Sequence, residues 1–443
     1  MKPEEICSLV LQECKAEGAT DTVVTVMELE EVMIRFSNNQ ITVTKNLNET
    51  TADIFTFVKE RKAGTDLADL SKRSLKATAR RLVAEGKSSP PGEIYAPLPQ
   101  GPFTYSKALL NQPSIDLTPN MIVGHVEAAV EAGLKEGARR MAGSLIARNI
   151  RITLQTSGEA FGVASKSSIE LSLRAFGEGQ ASGHAVSVSG TEREFDAEAA
   201  GREAGLLSRL SASPQDGVPG ECDAVLGPLV FADLINQVGR ASSAFFVDAG
   251  LSFFTDKVGE EVSSKNLTVK DDGTQTGTYG SFPFDLEGLP VRKTPIIEKG
   301  ELKGYLHNST TAKKMGTETT ANAGLINPRP FNLIVESGKG TVEELISKVD
   351  SGIYVTNDWY LRYQNWTNGD FSMIPRDAMF IIKDGELGGP IKELRISDNI
   401  PRMLQSVEEL SGDRKWIKWW EVDTPTLTPA VLIKGTKFTK STM

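Results

Sequence analysis

The side chains best suited to acid–base work or metal binding are scarce in this chain, which has three His and three Cys in 443 residues. Cys7 and Cys14 stand seven apart, near each other on one helix face, and nothing nearby adds the third ligand that zinc needs. They read as small apolar residues of a helix, and an odd Cys count gives no disulfide framework. His125 borders an apolar stripe, His184 lies in a Gly/Ser-rich strand region without a carboxylate at helical spacing, and His307 alternates with Leu306. Acid–base work by His needs an orienting partner, and none is visible for these three. Gly177-Glu-Gly-Gln-Ala-Ser-Gly183 has the wrong spacing for a dinucleotide fingerprint, and no Gly-x-Ser-x-Gly elbow occurs. Two aromatic stretches remain. Trp416-Ile-Lys-Trp419-Trp420 interleaves with Lys415 and Lys418 and could stack a base or grip a peptide, with burial against a partner as the blander reading. Asp358-Trp-Tyr-Leu-Arg-Tyr-Gln-Asn-Trp366 could line a cleft or fill a core.

The elements that must position these residues follow from periodicity. Pro3 opens a helix with Ile6, Leu9 and Val10 on one face, and Gly18 can stop it. Strands follow at Val24 and Val26, then at Val32, Ile34 and Phe36. An Asn38-Asn39 turn leads to Ile41 and Val43, and a further strand carries Phe55 and Phe57. A helix is expected from about Leu67 to Glu85. Proline-rich residues 87–117 favour an extended connection. Thr118-Pro119 then opens a second such unit, with strands at Met141–Ala147 and Ile150–Leu154 separated by Arg148-Asn149. Further strands lie around Leu171 and Val186, and a helix spans about Asp196 to Leu210. Asn39 to Thr44 and Asn149 to Leu154 are taken as equivalent places in the two copies.

The expected fold class is α+β. Residues 1–213 form an α/β-type amino-terminal domain of two helix–meander–helix units (1–86 and 118–213), and residues 214–443 form a β-rich, mostly antiparallel carboxyl-terminal domain. In the second domain a helix lies near Leu229–Ser243, and hairpins run from Ile296 to Gly304 and from Ile381 to Gly389. Gly300 and Gly385 would supply the positive φ of their turns. A net charge of −9 argues against a broad nucleic-acid surface. No apolar run approaches the roughly 20 residues of a membrane span, and the acidic start Met1-Lys-Pro-Glu-Glu lacks a signal-peptide core. A cytoplasmic protein without nucleic-acid or membrane partners is expected.

Asp285-Leu-Glu-Gly288 and the following Pro295-Ile-Ile-Glu-Lys-Gly-Glu-Leu-Lys-Gly-Tyr305 hairpin resemble the TldD/PmbA family, formerly described as modulators of DNA gyrase. Ser309 to Gly316, Gly340 to Leu345, Gly352 to Val355, Arg376 to Phe380, Gly385 to Lys392 and Ile396 to Asn399 continue the resemblance in order. Asn38 to Ile41, Ala63 to Leu70 and Glu198 to Ala204 carry it into the amino-terminal half. The resemblance implies a TldD–TldE heterodimer that degrades small unfolded peptides. Its TldD member carries His-Glu-x-x-x-His and a late Cys, so that two imidazoles and a thiolate hold zinc and the Glu activates water. Here the corresponding segment is Ile235-Asn-Gln-Val-Gly-Arg240. Ile235 and Arg240 stand at the His positions and Asn236 at the Glu position, and no Cys follows Cys222. An amide is no general base.

The resemblance is therefore to the TldE/PmbA side of the pair. It implies a non-catalytic subunit with no cofactor of its own, zinc being held only by a TldD-like partner. The alternative is a metal-free homodimeric peptide-binding scaffold. Asp285, Glu287, Arg376, Trp419 and Trp420 are the expected cleft or interface residues. An enzyme of unrelated chemistry would rest on Asp285, Glu287, Arg329 and Arg376.

Overall fold

The computed structural model describes residues 1–92 and 94–441; Glu93 in the proline-rich connection, and Thr442 and Met443 at the end of the second domain, lie outside them. The first unit comprises α1 (Pro3–Ala16), β1 (Asp21–Ser37), β2 (Gln40–Val58), β3 (Arg61–Leu67) and α2 (Lys72–Ser88). Past the connection, with its short α3 (Lys107–Leu110), come α4 (Pro119–Lys135), β4 (Arg140–Thr156), β5 (Phe161–Phe176), β6 (Ser182–Ser189) and α5 (Ala197–Leu210). The six strands form one antiparallel sheet in the order β3-β2-β1-β4-β5-β6, with β1 against β4 joining the two units.

Three expectations about this half need correction. The short strands are halves of long ones: Val24 to Phe36 is continuous, Ile41 to Phe57 is continuous, and β4 runs through Arg148-Asn149 without a turn. The reason is packing across units. Val24 and Val26 of β1 bury against α1 and α2, whereas Val32, Ile34 and Phe36 bury against α4 and α5. Side chains satisfy the polar pair instead of a bend: Arg148 meets Glu31 at 2.7 Å, and Asn149 exchanges two hydrogen bonds of 2.9 Å with the Ile115 backbone. It follows that Asn39 and Asn149 are not equivalent, since Asn38-Asn39 is a left-handed turn (φ 49° and 66°) and Asn149 sits mid-strand. The second helix also starts later than expected. Leu67 ends β3, and Ser71 caps the helix by accepting from the Ser74 N–H.

Period-two alternation gives the sheet two faces. Met141, Leu145, Ile169 and Leu171 point to the helices, together with buried Cys7 and Cys14 on α1. Val23, Phe55, Phe57 and Leu154 point the other way, onto Phe282 and Phe284 of the second domain.

The second domain contains β7 (Gln215–Asp216), β8 (Gly220–Leu226), α6 (Pro228–Ala241), α7 (Ala244–Asp248), β9 (Val269–Asp272), β10 (Lys293–Glu298) and β11 (Glu301–Leu302). Later strands complete a 14-stranded, mostly antiparallel sheet, including the closing hairpin Val407–Trp419 and Val422–Lys440. Gly300 (φ 88°) and Gly385 (φ 76°) take the positive φ their hairpin turns require. The chain is a mixed α+β protein, as expected. Among the described residues no helix is long and apolar enough to cross a membrane.

Candidate functional site

Helix α6 packs Leu234, Ile235 and Val238 into the main core of the second domain. Its opposite face, with Asn236, Gln237 and Arg240, borders a cavity of about 810 Å³ between the two domains. The far wall is the amino-terminal sheet: Met27 of β1, Arg148, Ile150 and Ile152 of β4, and Lys166 and Glu170 of β5. Even-numbered positions of β4 and β5 all face this way, which is why charged residues mid-strand reach the same space.

Zinc does not fit the residues that the resemblance sets against its ligands. Ile235 is fully buried and apolar. Asn236 is occupied in holding α6 to the closing strand: its Nδ2 donates to the Thr424 carbonyl at 3.0 Å and Thr426 Oγ1 at 2.7 Å, while Oδ1 accepts from the Thr424 N–H at 2.9 Å. Arg240 is exposed and contacts the rings of Phe246 and Trp366, at 4.4 and 4.2 Å from their centroids. A permanent cation repels a metal ion. Among the described residues no three His, Cys, Asp or Glu side chains cluster in an arrangement that could hold a metal.

The remaining sequence candidates divide between places. Asp285 and Arg329 line the cavity with Asn236 and Arg240. Asp285 is buried and accepts N–H bonds from Glu287, Leu289 and Ala323 at 2.9–3.0 Å. Burial, and then the charge of Glu287, push its carboxyl up to about 8 against those donors. Burial also raises Glu287, which accepts from the N–H and hydroxyl of Ser309 and so holds the start of the short helix Ser309–Lys314. Both carboxylates thus anchor loops.

Arg376, Trp419 and Trp420 belong to a separate aromatic group around Trp359. Trp419 is 3% exposed and packs with Leu229 and Val422, whereas Trp420 is 49% exposed. Beside them lies a polar junction between the domains. Asp377 accepts from Arg174 Nη2 at 2.5 Å and Nε at 2.9 Å, from Asn357 at 2.5 Å and from the Trp359 indole at 3.3 Å. Arg174 and His184 hold Asp377 below the usual carboxylate range despite its burial. Burial in turn pushes His184 down to about 4. His184 therefore has a carboxylate neighbour after all, supplied by the other domain, and serves packing.

Sequence reasoning missed the sheet's own contribution. Arg148 is no turn residue: it pairs with Glu31, stands 3.8 Å from Glu170 and donates to the Tyr279 hydroxyl at 2.9 Å. Lys166 donates to the Tyr279 carbonyl at 2.9 Å and has no carboxylate partner among the described residues. Desolvation, with Arg148 and Arg329 nearby, pushes its ammonium down to about 8. Arg148, interrupting the run of Ile146, Ile150 and Ile152 on one face of β4, was the available signal.

Comparison with known proteins agrees with this architecture. Residues 219–440 match the PmbA/TldA metallopeptidase carboxyl-terminal domain. A TldD-homologue metalloprotease of Buchnera aphidicola is 31% identical over 221 residues, covering 48% of this chain and 45% of that protein. A metalloprotease of Methanocaldococcus jannaschii is 35% identical over 200 residues, 44% of each. The chain spans about half the length of the curated relatives it matches. TldE from Thermococcus kodakarensis superposes with a TM-score of 0.85 at 19% identity, over 98% of this chain and 99% of that one. A Thermotoga maritima protein described as a candidate modulator of a DNA gyrase gives 0.84 at 20% identity, over 98% and 100%. At such identities these two show the fold alone. With half of the chain matched by the family domain and its ordered motifs in place, the chain belongs to the PmbA/TldD metallopeptidase family.

Proposed function

We propose that this chain is the non-catalytic subunit of a TldD–TldE type peptide-processing metalloprotease, a cytoplasmic heterodimer in which a zinc-bearing paralogue performs hydrolysis. The observation that carries this reading is the use made of α6. Ile235 fills the core, Asn236 ties the helix to Thr424, and Arg240 is a cation lying over two aromatic rings, so none of the three supplies a metal ligand or a general base. The inter-domain cavity remains open beside this helix, with apolar and charged walls suited to an extended peptide. Its role is to bind and orient substrate for the partner's metal centre.

The test mixes the purified chain with a His-Glu-x-x-x-His paralogue from the same genome. Hydrolysis of an unfolded peptide should require both chains, together with a mixed dimer in size-exclusion chromatography. Zinc-dependent hydrolysis by this chain alone, or a homodimer that ignores the paralogue, contradicts the reading; the latter outcome would favour the metal-free scaffold.

A further inference from the structure

Five cations line the cavity between the domains: Arg148, Lys166, Arg240, Arg329 and Lys418. Their acids are distributed unevenly. Glu170 lies 3.8 Å from Arg148 and 4.0 Å from Lys418, and Arg148 has Glu31 as well. Glu421 is taken by Arg362 and the Tyr360 N–H. Asp285 is pushed toward its neutral form by burial and Glu287, and Asp423, exposed like Arg240, makes no ion pair with any of the five. Lys166, Arg240 and Arg329 have no carboxylate within ion-pair distance among the described residues. In a chain of net charge −9 this is a local excess of positive charge.

Lys166 makes that excess more than a solvated surface. Its amine is desolvated among Phe282, Tyr279 and two guanidinium groups, a position that disfavours an ammonium unless an anion completes it. Ile150, Ile152, Phe246 and Phe331 supply apolar wall around these charges. The combination suits a flexible chain that brings its own carboxylate.

We infer that the inter-domain cavity is a carboxylate-recognition site, in which Lys166, Arg240 and Arg329 receive a free carboxyl group of a bound peptide, either its terminal carboxylate or an acidic side chain. This deepens the proposed function, since it names the feature by which the non-catalytic subunit would select its peptide. Arg240, which the resemblance sets against a metal-ligating His, is thus joined across the cavity by two further cations, a group suited to an anion.

The test uses the full chain alone and isothermal titration with three acetylated alanine-rich hexapeptides: one with a free carboxyl terminus, one carboxamide, and one carboxamide containing a single internal Glu. The carboxamide without Glu should bind at least about tenfold more weakly than one or both of the others, the scale of one charge-assisted bond. Tightest binding of the free-terminus peptide assigns the terminal carboxylate, and tightest binding of the Glu peptide assigns the side chain. Lys166→Met and Arg329→Met should each lose about tenfold, while Lys45→Met on the exposed part of β2 should change nothing. Affinity should also fall with added salt. Equal binding of all three peptides, no detectable binding of any, or cation variants indistinguishable from the parent overturns the inference. Hydrolysis by the mixed complex that survives such a result would leave the subunit reading standing. Carboxylate binding without any hydrolysis in the mixture would do the reverse.

Discussion

Replacing Lys166 by Met should make the protein more stable at neutral pH. The ammonium is pushed from 10.5 down to about 8. At about 1.4 kcal/mol per unit, that corresponds to a penalty of roughly 3 kcal/mol for keeping it charged at pH 7. The bond from Nζ to the Tyr279 carbonyl, worth about 1 kcal/mol, is lost in the variant. A net gain of about 2 kcal/mol is expected, since Met fills similar apolar volume.

The pH dependence fixes the sign. Below the folded value of about 8 both folded and unfolded chains hold the proton, and the penalty is complete. Between about 8 and 10.5 the unfolded chain binds more protons than the folded one, so the parent's stability rises with pH relative to the variant. By pH 10 the penalty has shrunk to about 1 kcal/mol, and the advantage of Lys166→Met should vanish. Thermal melts followed by circular dichroism at pH 7 and pH 10 measure this directly. At roughly 2–4 °C per kcal/mol for a unit the size of the amino-terminal domain, the pH 7 difference is well resolved. A variant less stable than the parent at pH 7, or a difference that stays constant with pH, refutes the assignment of Lys166 as a desolvated cation awaiting an anion.

Asp377→Ala removes the acceptor shared by Arg174, Asn357 and Trp359 and should destabilise the junction by about 3–5 kcal/mol in thermal melts. Adding Arg174→Met should cost much less than its own single effect, and additive losses would show that the two are uncoupled. Asn236→Asp turns a donor toward the Thr424 carbonyl into an acceptor and should cost about 2 kcal/mol, with zinc leaving the melting temperature unchanged; stabilisation by zinc would show that α6 can hold a metal after all. Gly201→Val should separate α4 from α5, because a Cβ at Gly201 would stand 2.0 Å from the Ala129 carbonyl oxygen. A loss above about 2 kcal/mol is expected. Gly124→Ala on the same helix pair meets nothing within 4 Å and should be neutral or stabilising, and equal losses at both sites would argue against close helix packing there.

Local chemistry was legible in the sequence wherever one short stretch settles the outcome. Pro3 and Pro119 start their helices, Asp196 caps α5 by accepting from the Ala199 N–H, and Asn38-Asn39, Gly300 and Gly385 make turns because only those residue types enter the left-handed region cheaply. Strand length was not legible. Whether Arg148-Asn149 bends the chain depends on Glu31, Glu170 and Ile115, which lie at least 22 residues away along the sequence. The same limit hid the cavity.

The sequence by itself determined the chemistry of the segment that the resemblance sets against the zinc motif: an isoleucine, an amide and a guanidinium have fixed properties in any fold. Tertiary structure alone decided what those residues do instead. Asn236 meets Thr424 across 188 residues, and Arg240 contacts rings contributed by α7 and by Trp366. Lys166 becomes a desolvated cation only when two domains close over the sheet face that carries it. A side chain's identity is local, whereas its solvation and its partners are set by everything packed against it.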